Sequence, residues 1–268
     1  MASRMHTERP ESQFPVTALG SDFRRESPHP PPAGMGVCLL DGFQLASANG
    51  RIAVPGSGER LLALLSLTDR AMRRAEVAGT LWPDASESRA FGSLRSAVSR
   101  LGEAGRDALR ADAVDLALAP GVSVDLRGAR ALALRLLGAE PRESDLSGDV
   151  VAVLSRDLLP GWYDDWVLIE AEDWRQLRLH ALEALARHLC EAGRFGEAAL
   201  AARASVRSEP LRESAHATLI SVHLAEGNQW EATCQLDRLR SLLREELGVE
   251  PSGRVLALFT PAETVTPR

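Results

Sequence analysis

The stretch RAEVAGTLWPDASESRAFGSLRSAVSRL, residues 74–101, decides the fold. It holds two short helical patterns that meet at a break formed by Trp82, Pro83 and Asp84. In the second pattern, apolar residues recur at spacings that place them on one face of a helix; they are Phe91, Leu94, Val98 and Leu101. We expect this seam and Trp82 to be buried. The arrangement is typical of a helix-turn-helix whose second helix enters a DNA major groove, although any amphipathic helix has the same pattern.

The side of the second helix that faces away from this seam carries the candidate DNA contacts. Arginine can donate two hydrogen bonds to guanine, and serine can contact a phosphate or a base edge. We expect Arg95 and Arg100 to lie nearest the DNA. The full set on this helix is Arg89, Ser93, Arg95, Ser96, Ser99 and Arg100. The alternative for each arginine is a solvated side chain or a salt bridge to Glu87 or Glu103.

A second group of arginines precedes the first helix of the motif. Arg73 and Arg74, with Arg70 before them, are candidates for contacts to backbone phosphates, and a solvated surface position is the alternative for all three. Residues 70–100 hold six arginines and three acidic residues, whereas the whole chain has a net charge of -6. The local excess of positive charge is modest, so it predicts weak non-specific affinity for DNA.

The flanking sequence predicts a winged helix. Short apolar pieces over 36–54, separated by the turn signals Asp41-Gly42 and Asn49-Gly50, predict a small antiparallel sheet, and residues 59–67 predict the first helix. After the motif, apolar residues alternate up to residue 124 around a turn at Ala119-Pro120-Gly121, which predicts a hairpin. A sheet, three helices and a hairpin form the order of a winged helix, in which the hairpin is the wing.

The second half of the chain is predicted to be all helical, with Asp125 as the cap of its first helix. Residues 192–198 and 226–232 resemble each other at an offset of 34 residues, with a glycine and a Glu-Ala pair at each turn. A helix-turn-helix period of this length is typical of tetratricopeptide repeats. The predicted fold class is therefore mainly α: an N-terminal winged helix-turn-helix of α and β structure, followed by an all-α tetratricopeptide-like domain.

Composition and spacing argue against several other classes of protein. No apolar run approaches the length of a membrane span, and no secretory signal precedes the first domain, so we expect a cytoplasmic protein with no membrane association. Cys38, Cys190 and Cys234 form no metal-binding pair. The histidine pairs 180/188 and 216/223 lack further ligands nearby, so packing or surface roles are favoured over a metal. We expect no enzyme activity, no cofactor and no metal.

The chain resembles the SARP-type transcriptional activators, the antibiotic regulatory proteins of actinobacteria. The resemblance covers about residues 36–255 and includes the turn Leu81-Trp82-Pro83-Asp84 and the helix residues 94–101, LRSAVSRL. In the second half it includes residues 158–162, 209–213 and 243–251, of which the last, LREELGVEP, is the most specific. Members of this family join a response-regulator-type winged helix to a bacterial transcriptional activator domain.

Composition and the resemblance together predict four segments, and the resemblance implies a function; the six prolines and the lack of apolar periodicity of residues 1–34 predict that the first segment is disordered. The segments are a disordered proline-rich tail over 1–34, the winged helix over 35–124, the transcriptional activator domain over 125–255 and a flexible tail over 256–268. The implied function is pathway-specific activation of a secondary-metabolite gene cluster. The implied partners are double-stranded DNA at promoter direct repeats, RNA polymerase holoenzyme and a second copy of the chain, as a homodimer or side by side on DNA.

Two departures from the family pattern keep alternatives open. Gly102-Glu103 stands where the family has further arginines, so we expect the second helix to end near Leu101. Ala119-Pro120-Gly121 stands where the wing carries a Gly-Tyr pair. Both departures favour an alternative in which the chain is a helical-repeat adaptor whose winged helix no longer reads DNA specifically. A third hypothesis is a small-ligand sensor with a pocket among the helices of residues 150–250.

Overall fold

A computed structural model of the 268-residue chain describes residues 34–138 and 141–260. The predicted disordered tail lies outside these residues except for Gly34, and so does the part of the predicted C-terminal tail beyond residue 260. Among the described residues, no helix combines the length and the apolar character needed to cross a bilayer.

The first half of the described chain has the order of elements predicted for a winged helix. In chain order these are β1 (Gly36–Cys38), β2 (Gln44–Ser47), β3 (Gly50–Ile52), α1 (Gly56–Thr68), β4 (Met72–Arg73), α2 (Arg74–Leu81), α3 (Glu87–Arg100), α4 (Gly102–Arg106), β5 (Leu109–Ala111), β6 (Asp115–Leu118) and β7 (Ser123–Val124). The predicted sheet is confirmed, because β1, β2 and β3 pair antiparallel. Its turns contain Gly42 and Gly50 with φ of 124° and 111°, a region that glycine enters without a steric penalty.

The wing differs from the prediction. The hairpin consists of β5 and β6, which pair antiparallel, and β6 also pairs with β4. Its turn lies at residues 112–114, and Ala119-Pro120-Gly121 instead leads the chain out to β7, which pairs parallel with β1 in the other sheet. The predicted hairpin turn at Ala119-Pro120-Gly121 was therefore wrong, since Val124 finds its partner in Val37 rather than in the preceding strand.

The second half is helical, as predicted. Its elements are α5 (Asp125–Leu137), α6 (Asp149–Leu154), α7 (Asp165–Glu191), α8 (Phe195–Ser208), α9 (Glu213–Glu226), α10 (Gln229–Leu247) and α11 (Gly253–Leu256), with 3-10 turns at Glu143–Leu146 and Ala257–Phe259. Helices α7/α8 and α9/α10 form two successive helical hairpins whose turns contain Gly193 and Gly227 with φ of 72° and 87°. Both glycines lie where the 34-residue repeat predicts a turn.

One hydrophobic core runs through both halves. The same cluster of buried side chains includes Leu45 of β2, Leu61 of α1, Leu94 of α3 and Trp174 of α7. Asp125 is the first residue of α5 rather than its cap, and its carboxylate accepts hydrogen bonds from the backbone N–H groups of residues 39, 40 and 126. Burial raises the pKa of Asp125, and these three hydrogen bonds oppose that rise.

Polar contacts reinforce the junction between the two halves. Arg60 of α1 forms an ion pair with Asp164, and Arg127 of α5 forms one with Asp69, which follows α1, at 2.8 Å. The backbone N–H of residue 41 donates to the carbonyl of residue 157 at 2.7 Å, and that of residue 159 donates to the carbonyl of residue 39 at 2.9 Å. Because core packing and hydrogen bonds both cross the junction, the winged helix and the helical domain form one body.

Helix α10 packs in a hydrophobic cluster separate from the main core. Leu239 and Leu243 of α10 pack with Ile220 of α9 and Val255 of α11 in a second, smaller cluster. Phe259 of the 3-10 turn also packs against this cluster, so the helical packing continues past residue 255. Helix α10 is therefore held mainly by α9 and by the turns that follow it.

We expect His216 to make the stability of this region depend on pH. Its ring is buried, with Nε2 2.9 Å from the carbonyl oxygen of Pro210 and Nδ1 2.7 Å from Nε2 of Gln235. Burial lowers the pKa of His216, and the positive charge of Arg238 adds to the effect. As the pH falls below about 6.5, the unfolded chain binds a proton that the folded chain resists, so the free energy of unfolding should fall.

The expected result is a smaller loss of stability in acid for His216→Gln than for the native chain. Urea unfolding at a series of pH values between neutral and mildly acidic measures the slope of the unfolding free energy with pH. An identical slope in both proteins would show that His216 does not contribute. His180→Gln is the control, because His180 is exposed.

Candidate nucleic-acid interface

Helix α3 packs on α1 and α2 in a register slightly different from the predicted one. Its buried residues are Ala90, Leu94 and Ala97, and Leu101 continues the same face. The predicted seam is therefore half right: Leu94 and Leu101 are buried, as expected, but Phe91 and Val98 are only half-buried. The two alanines allow α3 to lie close to the core, and this turns Phe91 towards its edge. Trp82 is half-buried and packs against the core.

Close approach also explains a glycine in α1. A Cβ at Gly58 would lie 2.7 Å from Cδ2 of Leu101 and 2.8 Å from Cγ1 of Val54. No Cβ fits at such distances without a shift of both neighbours. The end of α3 is thus seated directly on the start of α1.

The exposed part of α3 has two flanks. At about 100° per residue, Arg95 and Arg100 point about 140° apart around the helix axis. Arg89 and Arg100 share one flank with Ser93 and Ser96, whereas Arg95 lies on the other with Ser99. Between the two flanks is Gly92, where a Cβ would meet no atom within 4 Å. The predicted pair Arg95 and Arg100 therefore brackets the helix face rather than forming one cluster.

The three arginines of α3 have no hydrogen-bond or ion-pair partner among the residues that the structure describes. Within residues 34–138 and 141–260, no hydrogen bond or ion pair involves the side chain of Arg89, Arg95 or Arg100, and all three are exposed. The alternative salt bridges to Glu87 and Glu103 are not formed. Ser96 differs from the arginines, because its hydroxyl donates to the carbonyl oxygen of Gly92 at 3.0 Å.

The arginines before α2 have separate roles. Arg74 donates from Nε to the carbonyl oxygen of Asp112 at 2.9 Å, and its backbone N–H donates to the carbonyl of Val114 at the same distance. Arg70 forms an ion pair with Glu76. Arg73 is exposed on β4. Arg74 is thus engaged in holding the wing turn, which leaves Arg73 as the freer of the two predicted phosphate contacts.

The wing turn is organised by one carboxylate. Asp112 accepts hydrogen bonds from the backbone N–H groups of Val114 and Asp115 at 2.8 and 2.7 Å, and these bonds lower its pKa. Val114 at the tip is 60% exposed, and Arg110 on β5 is exposed too. The sequence analysis did not single out Arg110 or Val114, because it placed the wing turn seven residues too late. The Asp112 turn, in which a side chain caps its own loop, is the signal that identifies them.

The end of α3 confirms the expectation drawn from Gly102. The helix ends at Arg100, and Gly102, the first residue of the short helix α4, has φ of 71°, in the left-handed region. Arg106 of α4 donates from Nε to the carbonyl oxygen of Gly102 at 3.1 Å. The basic surface of α3 therefore stops at Arg100.

Gly102 and Gly92 give a matched pair of substitutions with opposite expected signs. At both positions a Cβ would meet no atom within 4 Å, so the backbone conformation alone determines whether alanine stabilises or destabilises the fold. Gly102→Ala should lower the free energy of unfolding by about 1–2 kcal/mol, because alanine is disfavoured at positive φ. Gly92→Ala, in the interior of α3, should raise it by about 0.5–1 kcal/mol. Urea unfolding measures both, and a stabilised Gly102→Ala protein would contradict the left-handed turn.

Among the described residues, no three histidine, cysteine or acidic side chains are grouped so as to hold a metal ion. Of the four histidines singled out in the sequence, His180, His188 and His216 have hydrogen-bond partners within the protein, whereas Nδ1 of the buried His223 has none among the described residues. His188 lies 3.1 Å from the carbonyl oxygen of residue 136, and His180 contacts the guanidinium of Arg212. His216 and His223 are buried in α9.

Together, the fold and its exposed α3 define a winged-helix regulator joined to a helical-repeat domain, and comparisons with known proteins agree. The family described as bacterial transcriptional activator domain matches residues 88–260. The regulatory protein AfsR of Streptomyces griseus is 30% identical over 213 residues, which cover 74% of this chain and 21% of AfsR. The structure of Mycobacterium tuberculosis EmbR in complex with a low-affinity phosphopeptide matches with a TM-score of 0.65 at 22% identity, over 84% of this chain and 63% of EmbR.

The chain belongs to the bacterial transcriptional activator domain family, and within it to the SARP-type activators. This is a family of transcription regulators rather than of enzymes. The chain spans about a fifth of the length of AfsR and somewhat under two thirds of the EmbR chain. The likeness to EmbR bears on the fold alone.

Proposed function

We propose that this protein is a sequence-specific activator of transcription that regulates one secondary-metabolite gene cluster and places α3 in the major groove of promoter DNA. The observation that carries the proposal is the set of three exposed arginines on α3 that have no partner in the described parts of the chain. A charge left unpaired on a helix of an acidic protein is available for an external anion, and bidentate recognition of guanine is a common use of arginine.

The two flanks of α3 assign different tasks to the predicted residues. Arg95 and Ser99 face one wall of the groove, while Arg89, Ser93, Ser96 and Arg100 face the other. A helix in the major groove contacts base edges along the face that enters the groove and backbone phosphates on both sides. Arg73 before α2 and Arg110 in the wing extend the contact to the phosphates outside the groove.

Two copies should act together on direct repeats. Only a few positive charges face the DNA and the chain has a net charge of -6, so one copy gains little from the release of counterions. Two weak sites that are linked gain affinity through effective concentration. The helical domain would supply the contact to the second copy and to RNA polymerase holoenzyme.

Footprinting on the promoters of the neighbouring gene cluster tests the proposal. The expected result is protection of two repeated half-sites on one face of the duplex, with loss of protection when either repeat is scrambled. A monomer that binds a single half-site at nanomolar strength in moderate salt would contradict the two-copy arrangement. Equal affinity for promoter and random DNA would contradict sequence-specific binding.

The second candidate function is a helical-repeat adaptor whose winged helix no longer selects DNA. The end of α3 at Gly102 favours it, since phosphate contacts beyond Arg100 are lost. A variant in which the arginines of α3 are replaced by alanine separates the two functions. An adaptor would still bind its protein partner through α7–α10 in this variant, whereas an activator would no longer activate transcription.

A further inference from the structure

A groove crosses the helical domain far along the chain from α3. Its cavity has a volume of about 640 Å³ and is lined by residues of α8, α9 and α10. This volume lies within the range of about 300–1,000 Å³ that is usual for sites of small molecules. The groove exists because α8 and α10 pack on the two sides of α9.

The floor of the groove is apolar. Leu219 of α9 is 3% exposed, and Val206 of α8 and Leu242 of α10 are half-buried beside it. His216 closes one end, where its ring is fixed by Pro210 and Gln235. Such a surface accepts a short hydrocarbon chain and offers it little opportunity for hydrogen bonding.

The rim of the groove is positively charged. Arg203 and Arg207 lie one helical turn apart on α8, and Arg238 faces them from α10. All three are exposed, and none has an ion-pair or hydrogen-bond partner in the part of the chain that the structure describes. Glu245 is the acidic residue of the lining. This differs from Arg175, Arg194, Arg212 and Arg240 of the same domain, which are all paired with carboxylates.

We propose that this groove binds a small organic carboxylate with an aliphatic body, whose charged group lies between Arg203 and Arg238 and whose hydrocarbon chain lies on Leu219 and Leu242. Apolar floor and cationic rim together select an amphipathic anion over a neutral lipid or an inorganic ion. Because the ligand would touch both α8 and α10, it would join the main core to the second cluster. The proposal is independent of the role of α3 in DNA binding.

Octanoate is the probe, and the full chain is the protein. Thermal unfolding should show a saturable rise in melting temperature with octanoate, and calorimetric titration should give one site. Octanamide has the same hydrocarbon chain without the charge. Its affinity should be lower by a factor of about ten or more, which is the loss of affinity typical for a missing hydrogen bond to a charged group. Equal binding of the two compounds, or no saturable binding of octanoate at millimolar concentration, would overturn the proposal.

Two kinds of variant locate the site. Arg203→Gln with Arg238→Gln should weaken octanoate binding about ten-fold or more, and Ser241→Trp should block the groove while all charges stay in place. Arg207 is left unchanged because it also borders a second cavity with Arg175 and Arg178. The control is Arg187→Gln with Arg254→Gln, two exposed arginines outside the groove. Octanoate affinity that is unchanged in both groove variants, or a glutamate-rich peptide that binds there when octanoate does not, would overturn the proposal.

Discussion

Replacement of Arg95 and Arg100 together by alanine is expected to lower the affinity for promoter DNA by a factor on the order of 100, since each good arginine–guanine pair contributes about 1–3 kcal/mol of discrimination. Both side chains are exposed, and neither has a hydrogen-bond or ion-pair partner among the described residues, so the melting temperature should change little. Gel-shift titrations on the promoter and on a scrambled duplex measure the effect. The ratio of the two affinities should approach one in the double variant.

The single variants measure the contribution of each arginine of α3. Arg89 and Arg100 share a flank but lie eleven residues, about 16 Å, apart along the helix, so the effects of Arg89→Ala and Arg100→Ala should add. Arg95→Ala changes the opposite flank, and its effect should add to either. Arg187→Ala on α7 is the control, because Arg187 is equally exposed and lies in the helical domain. A double variant Arg95→Ala/Arg100→Ala that binds the promoter as the native chain does would exclude α3 as the reading helix.

Trp174→Ala is expected to lower the free energy of unfolding by about 3–5 kcal/mol, the usual loss for a large aromatic side chain removed from a core. Trp174 is 1% exposed, and its Nε1 donates to the carbonyl oxygen of Arg156 at 2.9 Å. Because the core is continuous, the winged helix should unfold in the same transition as the helical domain. Urea unfolding by circular dichroism, with DNA binding measured at each urea concentration, tests both statements.

Trp230→Ala is the matched control. Trp230 lies in the first turn of α10 and is 74% exposed, so its removal should change the unfolding free energy by less than about 0.5 kcal/mol. The prediction of a single transition would be contradicted if Trp174→Ala unfolded in two steps and still bound DNA up to the urea concentration at which the native chain unfolds. If Trp230→Ala lowered the free energy of unfolding as much as Trp174→Ala does, the exposure of Trp230 in the structure would be contradicted.

Local features of the sequence predicted much of this fold. Asn49-Gly50, Gly193 and Gly227 mark turns because glycine adopts positive φ at no steric cost. The order of elements in the winged helix and the 34-residue repeat follow from spacing alone. The end of α3 also follows from one residue, Gly102, whose backbone conformation stops the helix.

Features that depend on distant partners were not predictable in the same way. Alanine is only weakly hydrophobic, so the sequence pattern favoured Phe91 and Val98 over Ala90 and Ala97 as buried residues. The packing of α3 on α1 and α2 determines which face is actually buried. The wing was misplaced because alternation continues through both β6 and β7, although β7 pairs with β1 at the far end of the winged helix sequence. The side-chain hydrogen bond of Arg74 to the wing turn is likewise a tertiary contact.

The shared core fixes the orientation of the helical domain relative to α3. Ion pairs of Arg60 with Asp164 and of Arg127 with Asp69 also join the two halves, so the helical domain should not turn about α3 as a flexibly linked domain would. With α3 in the major groove, as proposed, a non-palindromic operator dictates the direction in which α7–α10 project along the promoter. Inversion of the operator at an unchanged distance from the start site should leave occupancy intact and abolish activation, because the helical domain would then point in the opposite direction.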